Sequence, residues 1–502
     1  MTITCLAATA GSFAVLHYHR LGLTLSHYDS RGHLVVARRI VDSITPGWQQ
    51  IGAVWLPLPH LLNVLPVQVD WLYRTGASAV AISVAAFAIA TGAIAWIVLN
   101  LTESTASAAV GAAVFALNPN VLYLQATPMT EPLFLALTLV SVALLMAWCD
   151  SRGSRMFAPA GDGSPDPPAG PSSHMVGCAF ALACLTRYEA WPVTAGALIL
   201  AVWVQWRRGN GIGVASRDVG TAAVYPALAV VGFLVFSRIV IGEWFTASGF
   251  FVPENKAVGR PLEALAEIAW GARALSGWPT MTIAALGTAA LLIISIVSRR
   301  RAGRLLALSL LASAALPWAA FVRGHPFRIR YMVPLIAIEA VGVGAAAGMI
   351  RRFASVTTLL AAIALAYSSR PLDPSAPMVL EAQWDRPNTQ ARRHVTECLH
   401  ANYDGEKIMA SMASLGHYMQ ETSRDGFNIR DFLHEGNGDI WLAALDGPRQ
   451  YAGWLLIEEK AEGGDLLAQT ARKTPAFLDG YDRLCEAAGV ALYRRSGAMP
   501  RP

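Results

Sequence analysis

The sequence predicts an α-helical polytopic membrane domain followed by a small soluble α/β domain. Three observations carry that expectation. The 502 residues are 54% hydrophobic and only 15% charged, which is unlike a soluble globular chain. Residues 77–99, 131–149, 219–241, 278–298, 305–322 and 332–350 hold almost no ionisable groups, and each is long enough, or nearly so, to cross hydrocarbon as a helix. Beyond residue 370 the chain turns rich in Asp, Glu, Arg and His and contains no such stretch. The expected domains are therefore 1–370 in the membrane and 371–502 outside it, the latter large enough to close its own core.

Taking roughly 20 apolar residues per span, about eleven helices are expected. They cover 3–24, 77–99, 104–118, 131–149, 174–188, 190–206, 219–241, 278–298, 305–322, 332–350 and 354–368. The third, fifth and eleventh are short. The first apolar run lacks a basic leader and a small-residue cleavage site, so it reads as a retained helix. A first outer loop covers 25–76, and a linker covers 150–173. That linker contains Gly-Asp-Gly-Ser-Pro-Asp-Pro-Pro-Ala-Gly-Pro at 161–171, a composition that resists folding. In the tail, 392–399 and 465–474 read as helices and 407–412, 454–458 and 490–494 as strands.

Arginine runs set the sidedness. Arg207-Arg208, Arg299-Arg300-Arg301 with Arg304, and Arg351-Arg352 are each separated by two expected spans, so all emerge on one face with Arg152 and Arg155. The positive-inside rule assigns that face to the cytoplasm, although Arg31, Arg38, Arg39 and Arg74 fall opposite. The loops 25–76, 118–130, 187–190, 242–277 and 323–331 and the tail then share the outer face. A net charge of +5 is modest for this length and gives no sign of nucleic-acid binding. The six cysteines have no CxxC spacing, which argues against a zinc or redox motif. Cys398 and Cys485 can pair if the tail lies outside the cytoplasm, or remain buried thiols.

Polar residues of the outer face form the candidate site. His-Tyr-Asp-Ser-Arg-Gly-His at 27–33 places Asp29 just past the first span, flanked by Tyr28 and His33. Leu34, Ala37, Ile40, Val41 and Ile44 then recur at helical spacing, as in an amphipathic helix lying in the membrane interface. Asp29 or Ser30 equally suits the N-cap of that helix. Trp-Leu-Pro-Leu-Pro-His follows at 55–60.

The second outer loop carries Asn-Pro-Asn at 118–120 and Thr-Pro-Met-Thr-Glu-Pro at 127–132. Glu131 stands at the mouth of a span, where an acid is costly unless it faces protein or water, or where it complements a helix N-terminus. Arg187 and Glu189 intrude at the next outer turn, where they either serve the site or neutralise each other. Arg-Gly-His-Pro-Phe-Arg-Ile-Arg-Tyr at 323–331 offers Arg323, His325, Arg328 and Arg330 beside Tyr331. Such clustered guanidinium groups suit a phosphate, or anchor lipid headgroups. Trp244, Phe250, Phe251, Pro253, Glu254 and Asn255 either cover a sugar or form an interfacial aromatic belt. His17, His19, His27 and His33 lack the spacing of a metal site, and none is expected. Gly-His-Tyr at 416–418 and Asp-Phe-Leu-His-Glu-Gly-Asn at 431–437 suit either a pocket or solvated loops.

Taken together, the chain resembles the GT-C superfamily of membrane glycosyltransferases, the class of protein O-mannosyltransferases and lipid A aminoarabinose transferases. The residues that carry the resemblance are Tyr28-Asp29 in the first outer loop and the Pro-rich segment Leu56-Pro57-Leu58-Pro59. Asn-Pro-Asn with Thr-Pro-Met-Thr-Glu-Pro in the second outer loop adds to it, as does Arg330-Tyr331 with Pro334. It covers roughly residues 1–370. Many members carry two adjacent acids where this chain has Asp29-Ser30. The resemblance implies a polyprenyl-phosphate-sugar donor, inverting transfer to a protein, lipid or glycan acceptor outside the cytoplasm, and a bacterial inner-membrane location. It implies Asp29 as general base, with Tyr28, His33, Glu131, Arg187, Glu189, His325, Arg328, Arg330 and Tyr331 binding substrate. No cofactor is required by it, and a divalent cation is left open. A transporter or lipid-linked-sugar flippase would also be polytopic. It should, however, bury charge at mid-membrane and show repeated halves, and this sequence shows neither.

Overall fold

The structure, a computed structural model, describes residues 1–157, 170–242, 244, 255–349, 354–368 and 370–497. Residues 161–169 of the linker, Arg351, Arg352, Phe250, Phe251, Pro253 and Glu254 lie outside the described residues, as do the side chains of Arg155 and Arg300.

The chain begins with helix α1 (Thr2–Arg20) and an outer segment holding α2 (Tyr28–Arg39), α3 (Leu58–Asn63) and α4 (Asp70–Thr75). Then come α5 (Ala77–Thr102), α6 (Thr105–Ala116), α7 (Pro119–Leu124), α8 (Glu131–Phe157), α9 (Ser173–Cys184), α10 (Ala190–Arg207) and α11 (Ile212–Ile241). After α12 (Pro261–Ser276) and α13 (Trp278–Val297), the chain winds as a 3-10 helix over Arg299–Ala314 and continues as α14 (Ala315–Val322). Helices α15 (Leu335–Gly348) and α16 (Ala354–Ser368) complete the bundle.

Among the described residues, six stretches are long and apolar enough to span a membrane: Ala77–Thr102, Glu131–Arg152, Ile212–Ile241, Trp278–Val297, Arg301–Val322 and Ile329–Gly348. These are the six uncharged stretches of the sequence. The spans expected to be short are the shorter apolar helices Thr105–Ala116, Ser173–Cys184 and Ala354–Ala366.

Hydropathy alone does not rank these helices, but burial does. Ile329–Gly348 is 89% buried and central, whereas Ile212–Ile241, which is more hydropathic, is 17% buried and faces outward. Helices α13 and α15 cross through small residues: a Cβ on Gly287 would stand 1.9 Å from the Gly342 carbonyl oxygen. Only glycine allows that approach.

The tail forms α17 (Pro377–Glu381), α18 (Arg386–Asn402), β1 (Ile408–Ala410), α19 (Met412–Thr422), β2 (Phe432–Leu433), α20 (Asp439–Asp446), β3 (Trp454–Glu458), α21 (Leu466–Lys473), β4 (Tyr481–Ala487) and β5 (Val490–Arg495). The five strands run in the order β2-β1-β3-β5-β4. Strand β1 is parallel to β2 and β3, and β5 is antiparallel to β3 and β4. Every residue of β3 is buried, as befits a central strand. Of the two alternatives the sequence left open, Cys398 of α18 and Cys485 of β4 form a disulfide.

The interfacial role expected of α2 is met differently. Its Leu34, Val35 and Ala37 share one hydrophobic core with Val67, Tyr73, Val395, Leu399, Ile408 and Trp454. Leu34 and Ala37 of the apolar stripe are therefore covered by the sheet domain, while Val41 stays exposed. Its charged face is satisfied too. Arg38 bonds Asp42 at 2.9 Å and Asp70 at 2.7 Å, and Asp42 bonds Arg430 at 2.6 Å. Arg31 bonds Glu421.

Candidate active site

The loops expected on the outer face meet at one end of the bundle. Tyr188 donates to the Ala53 carbonyl at 2.8 Å, and the Leu58 amide to that of Leu185 at 2.9 Å. Tyr123 donates to the Leu23 carbonyl at 3.1 Å. Arg152, Arg207 and Arg208 gather at the opposite end. There Arg208 bonds Asp150 at 2.7 Å, Arg152 bonds Asp218, and Arg207 donates to the Ile296 carbonyl at 2.6 Å.

Helix α2 presents Asp29. The N-cap is His27, whose Nδ1 accepts from the Asp29 amide at 3.1 Å. Ser30 Oγ is buried with no hydrogen-bond partner, so neither Asp29 nor Ser30 caps the helix. The Asp29 carboxylate instead bonds Arg330, which leads into α15, and both side chains are about nine-tenths buried. Burial alone would raise the Asp29 pKa; the Arg330 guanidinium outweighs it and holds the group down to about 2, with His27 and His33 adding to the effect. Tyr28 stacks on His27 with ring centroids 4.7 Å apart. Burial first, then the Asp29 charge, push its hydroxyl up to about 12, against the pull of Arg330 and Arg328.

A second cluster lies within electrostatic reach of the first. Glu131 begins α8 fully buried and accepts from Arg187 at 2.9 Å. Arg187 also bonds Glu189 at 2.6 Å and Thr130 Oγ1 at 3.1 Å. Burial works against the Arg187 charge, but Glu131 and Glu189 more than restore it and raise its pKa. Glu131 thus opens a helix and is buried in the ion-pair cluster at the same time. Its Oε2 is buried and unpartnered.

His33 lies one turn beyond Asp29 on the same face of α2. It contacts His60 at 3.1 Å and packs on Trp55 with centroids 4.1 Å apart. His325 donates from Nδ1 to the Pro326 carbonyl at 2.9 Å and meets Tyr331 edge-on at 5.4 Å. Its pKa is lowered, mainly by burial. The Arg330 guanidinium lies 5.6 Å from the Tyr331 ring.

The structure thus brings Tyr28, Asp29, His33, Glu131, Arg187, Glu189, His325, Arg328, Arg330 and Tyr331 to one end of the bundle. Trp244 is exposed. Asn118 and Asn120 have a bracing role: Asn118 caps α7, and both donate to the Leu275 carbonyl, at 3.0 and 2.9 Å. His434 caps a turn by accepting from the Gly436 amide at 3.0 Å.

Sequence reasoning noted His60 within Trp-Leu-Pro-Leu-Pro-His but gave it no role at the site. It singled out His417 within Gly-His-Tyr but passed over Asp385 and Glu421; the ligand-type atoms of the three lie within 4.8 Å of one another. Arg392 bonds both of those carboxylates, at 2.6 and 2.9 Å, so an ion-pair network already occupies them.

No protein-family model and no curated protein matches the chain. Among solved structures it is similar to two crystal structures of ArnT, an aminoarabinose transferase of the GT-C class, from Cupriavidus metallidurans. The form bound to undecaprenyl phosphate aligns with a TM-score of 0.58 at 11% identity, covering 100% of this chain and 98% of that one. The apo form gives 0.56 at 11% identity, with 99% and 100% covered. At such identity the likeness establishes the fold, bundle and sheet domain together.

Proposed function

We propose that this protein is an inverting glycosyltransferase that moves a sugar from a polyprenyl-phosphate-linked donor to a hydroxyl of a protein, lipid or glycan acceptor. The reading places this chemistry on the outer face of the bacterial inner membrane. The observation that carries it is the buried Asp29–Arg330 pair, set in a fold whose ArnT counterpart binds undecaprenyl phosphate.

The donor phosphodiester is anionic, and its two free oxygens match the forked donors of Arg330 and Arg328. Once phosphate engages Arg330, the Asp29 carboxylate loses its partner and becomes a stronger base. The acceptor oxygen bonds to the anomeric carbon from the side opposite the phosphate, while its proton passes to Asp29. The bond from that carbon to the phosphate oxygen breaks, and the electron pair stays on the phosphate. The leaving group is a stable anion and needs no general acid. Arg330 and Arg328 hold its growing charge, with His325 beside them. Glu131, fixed by Arg187, orients sugar or acceptor hydroxyls. Asp29 is a single carboxylate already held by a guanidinium, which makes it a poor cradle for a divalent cation.

The test is incubation of the purified protein with radiolabelled undecaprenyl-phosphate sugars and candidate acceptors, alongside Asp29→Asn. Transfer by the wild type alone supports the reading. Lipid translocation without transfer would favour a flippase instead.

A further inference from the structure

We infer that His33 reads the transferred sugar: its Nε2, kept bare by a hydrogen-bond chain through His60, accepts from a hydroxyl or amine on that sugar. The inference rests on the glycosyltransferase reading and goes beyond it by separating recognition of the sugar from recognition of the phosphate.

The chain of hydrogen bonds fixes each tautomer. His60 Nδ1 lies 3.1 Å from the Leu56 carbonyl oxygen, which can only accept, so that nitrogen carries the proton. A neutral imidazole has one N–H, which leaves His60 Nε2 bare. The 3.1 Å contact between His33 Nδ1 and His60 Nε2 is therefore donated by His33. By the same count, His33 Nε2 is bare. Both rings are buried, at 7% and 1% exposure, and the groups around His33 are His60, Asp29, Arg330 and Arg187. Burial foremost, with the Arg330 and Arg187 guanidiniums, keeps His33 neutral against the pull of Asp29. Burial, with Arg39, holds His60 down to about 3. Trp55 packs on the His33 ring with centroids 4.1 Å apart, and the hydrogen bond to His60 fixes the ring's rotation.

His33 also lines a cavity of about 20 Å3 with Asn63, Ser83, Met129 and Thr130, and Arg187 bonds Thr130. A neutral acceptor beside two guanidiniums sorts the halves of a lipid-phosphate sugar. Phosphodiester oxygens carry no proton, so they cannot bond Nε2 and are drawn to Arg330. A sugar hydroxyl or amine carries one and fits Nε2.

The test uses the purified full-length protein and two probes: undecaprenyl phosphate, and the same lipid phosphate bearing each sugar of a panel. His33→Asn keeps a donor to His60 but removes the Nε2 acceptor, while His33→Gln returns an acceptor near that place. Expected for His33→Asn is undecaprenyl-phosphate affinity within about twofold of wild type, which also shows that the site is folded. Binding and transfer of the preferred sugar conjugate should fall roughly 10- to 100-fold, with partial rescue in His33→Gln. Equal loss of both probes, or an undiminished response to the conjugate, overturns the role of His33 alone. A wild type that binds neither probe overturns the glycosyltransferase reading and this inference with it.

Discussion

Asp29 and Arg330, 301 residues apart, form a buried ion pair that ties the first outer helix to the entrance of the central span. The carboxylate is the base proposed for transfer, and its guanidinium partner suppresses its basicity. If the donor phosphate takes Arg330, binding and activation become one event. Asp29→Asn should lower transfer by ~10²–10⁴-fold while undecaprenyl phosphate still binds. Arg330→Gln should weaken both. Titrating each variant with undecaprenyl phosphate by intrinsic fluorescence, beside a transfer assay, separates the two effects.

The same pair predicts an acid response. The Asp29 pKa in the folded protein, about 2, lies below its ordinary value of 3.8. The folded state therefore binds this proton less readily than the unfolded chain does. The pair's contribution to stability is complete above pH 3.8 and is lost as pH falls through 2. With a shift of this size it is worth about 2 kcal/mol. In Arg330→Gln the depression disappears, and this component of acid destabilisation should be absent from melting curves recorded between pH 6 and 2.

Arg187 holds two buried carboxylates, Glu131 and Glu189. Arg187→Met leaves both without a counter-charge and should cost about 3–5 kcal/mol. Adding Glu131→Gln and Glu189→Gln to that variant should recover much of the loss. Thermal unfolding of the three proteins in one detergent measures it; a triple variant no more stable than Arg187→Met would contradict the assignment.

The disulfide joins residues 87 positions apart. Closing a loop of that size restricts the unfolded chain by about 4 kcal/mol. Cys398→Ser should therefore lower the unfolding temperature of the sheet domain, and reductant should do so in the wild type but not in the variant. Hydrogen exchange across β3 and β5 reports it locally.

Much of the fold was legible beforehand. The six uncharged stretches are the six long apolar helices, and Trp454–Glu458 has the ends expected of it. Strand β4 escaped notice because Tyr481–Ala487 is an edge strand with mostly exposed or half-buried side chains, so its sequence reads as polar loop. The cap of α2 was misplaced because histidine is an uncommon N-cap beside Asp29 and Ser30, which are ordinary ones. The apolar stripe of α2 looked lipid-facing because an amphipathic pattern records that one face is buried, not what buries it.

Sequence alone determined which segments are helices in hydrocarbon. There each backbone group must bond within its own segment, and apolar length decides the matter locally. It also gathered the unusual polar residues onto one set of loops. Only the tertiary structure decided their partners: Asp29 with Arg330, Glu131 with Arg187, His33 with His60, and α2 with the sheet domain. A buried charge or imidazole is stabilised by whatever lies within a few ångströms, and chain order does not encode that distance.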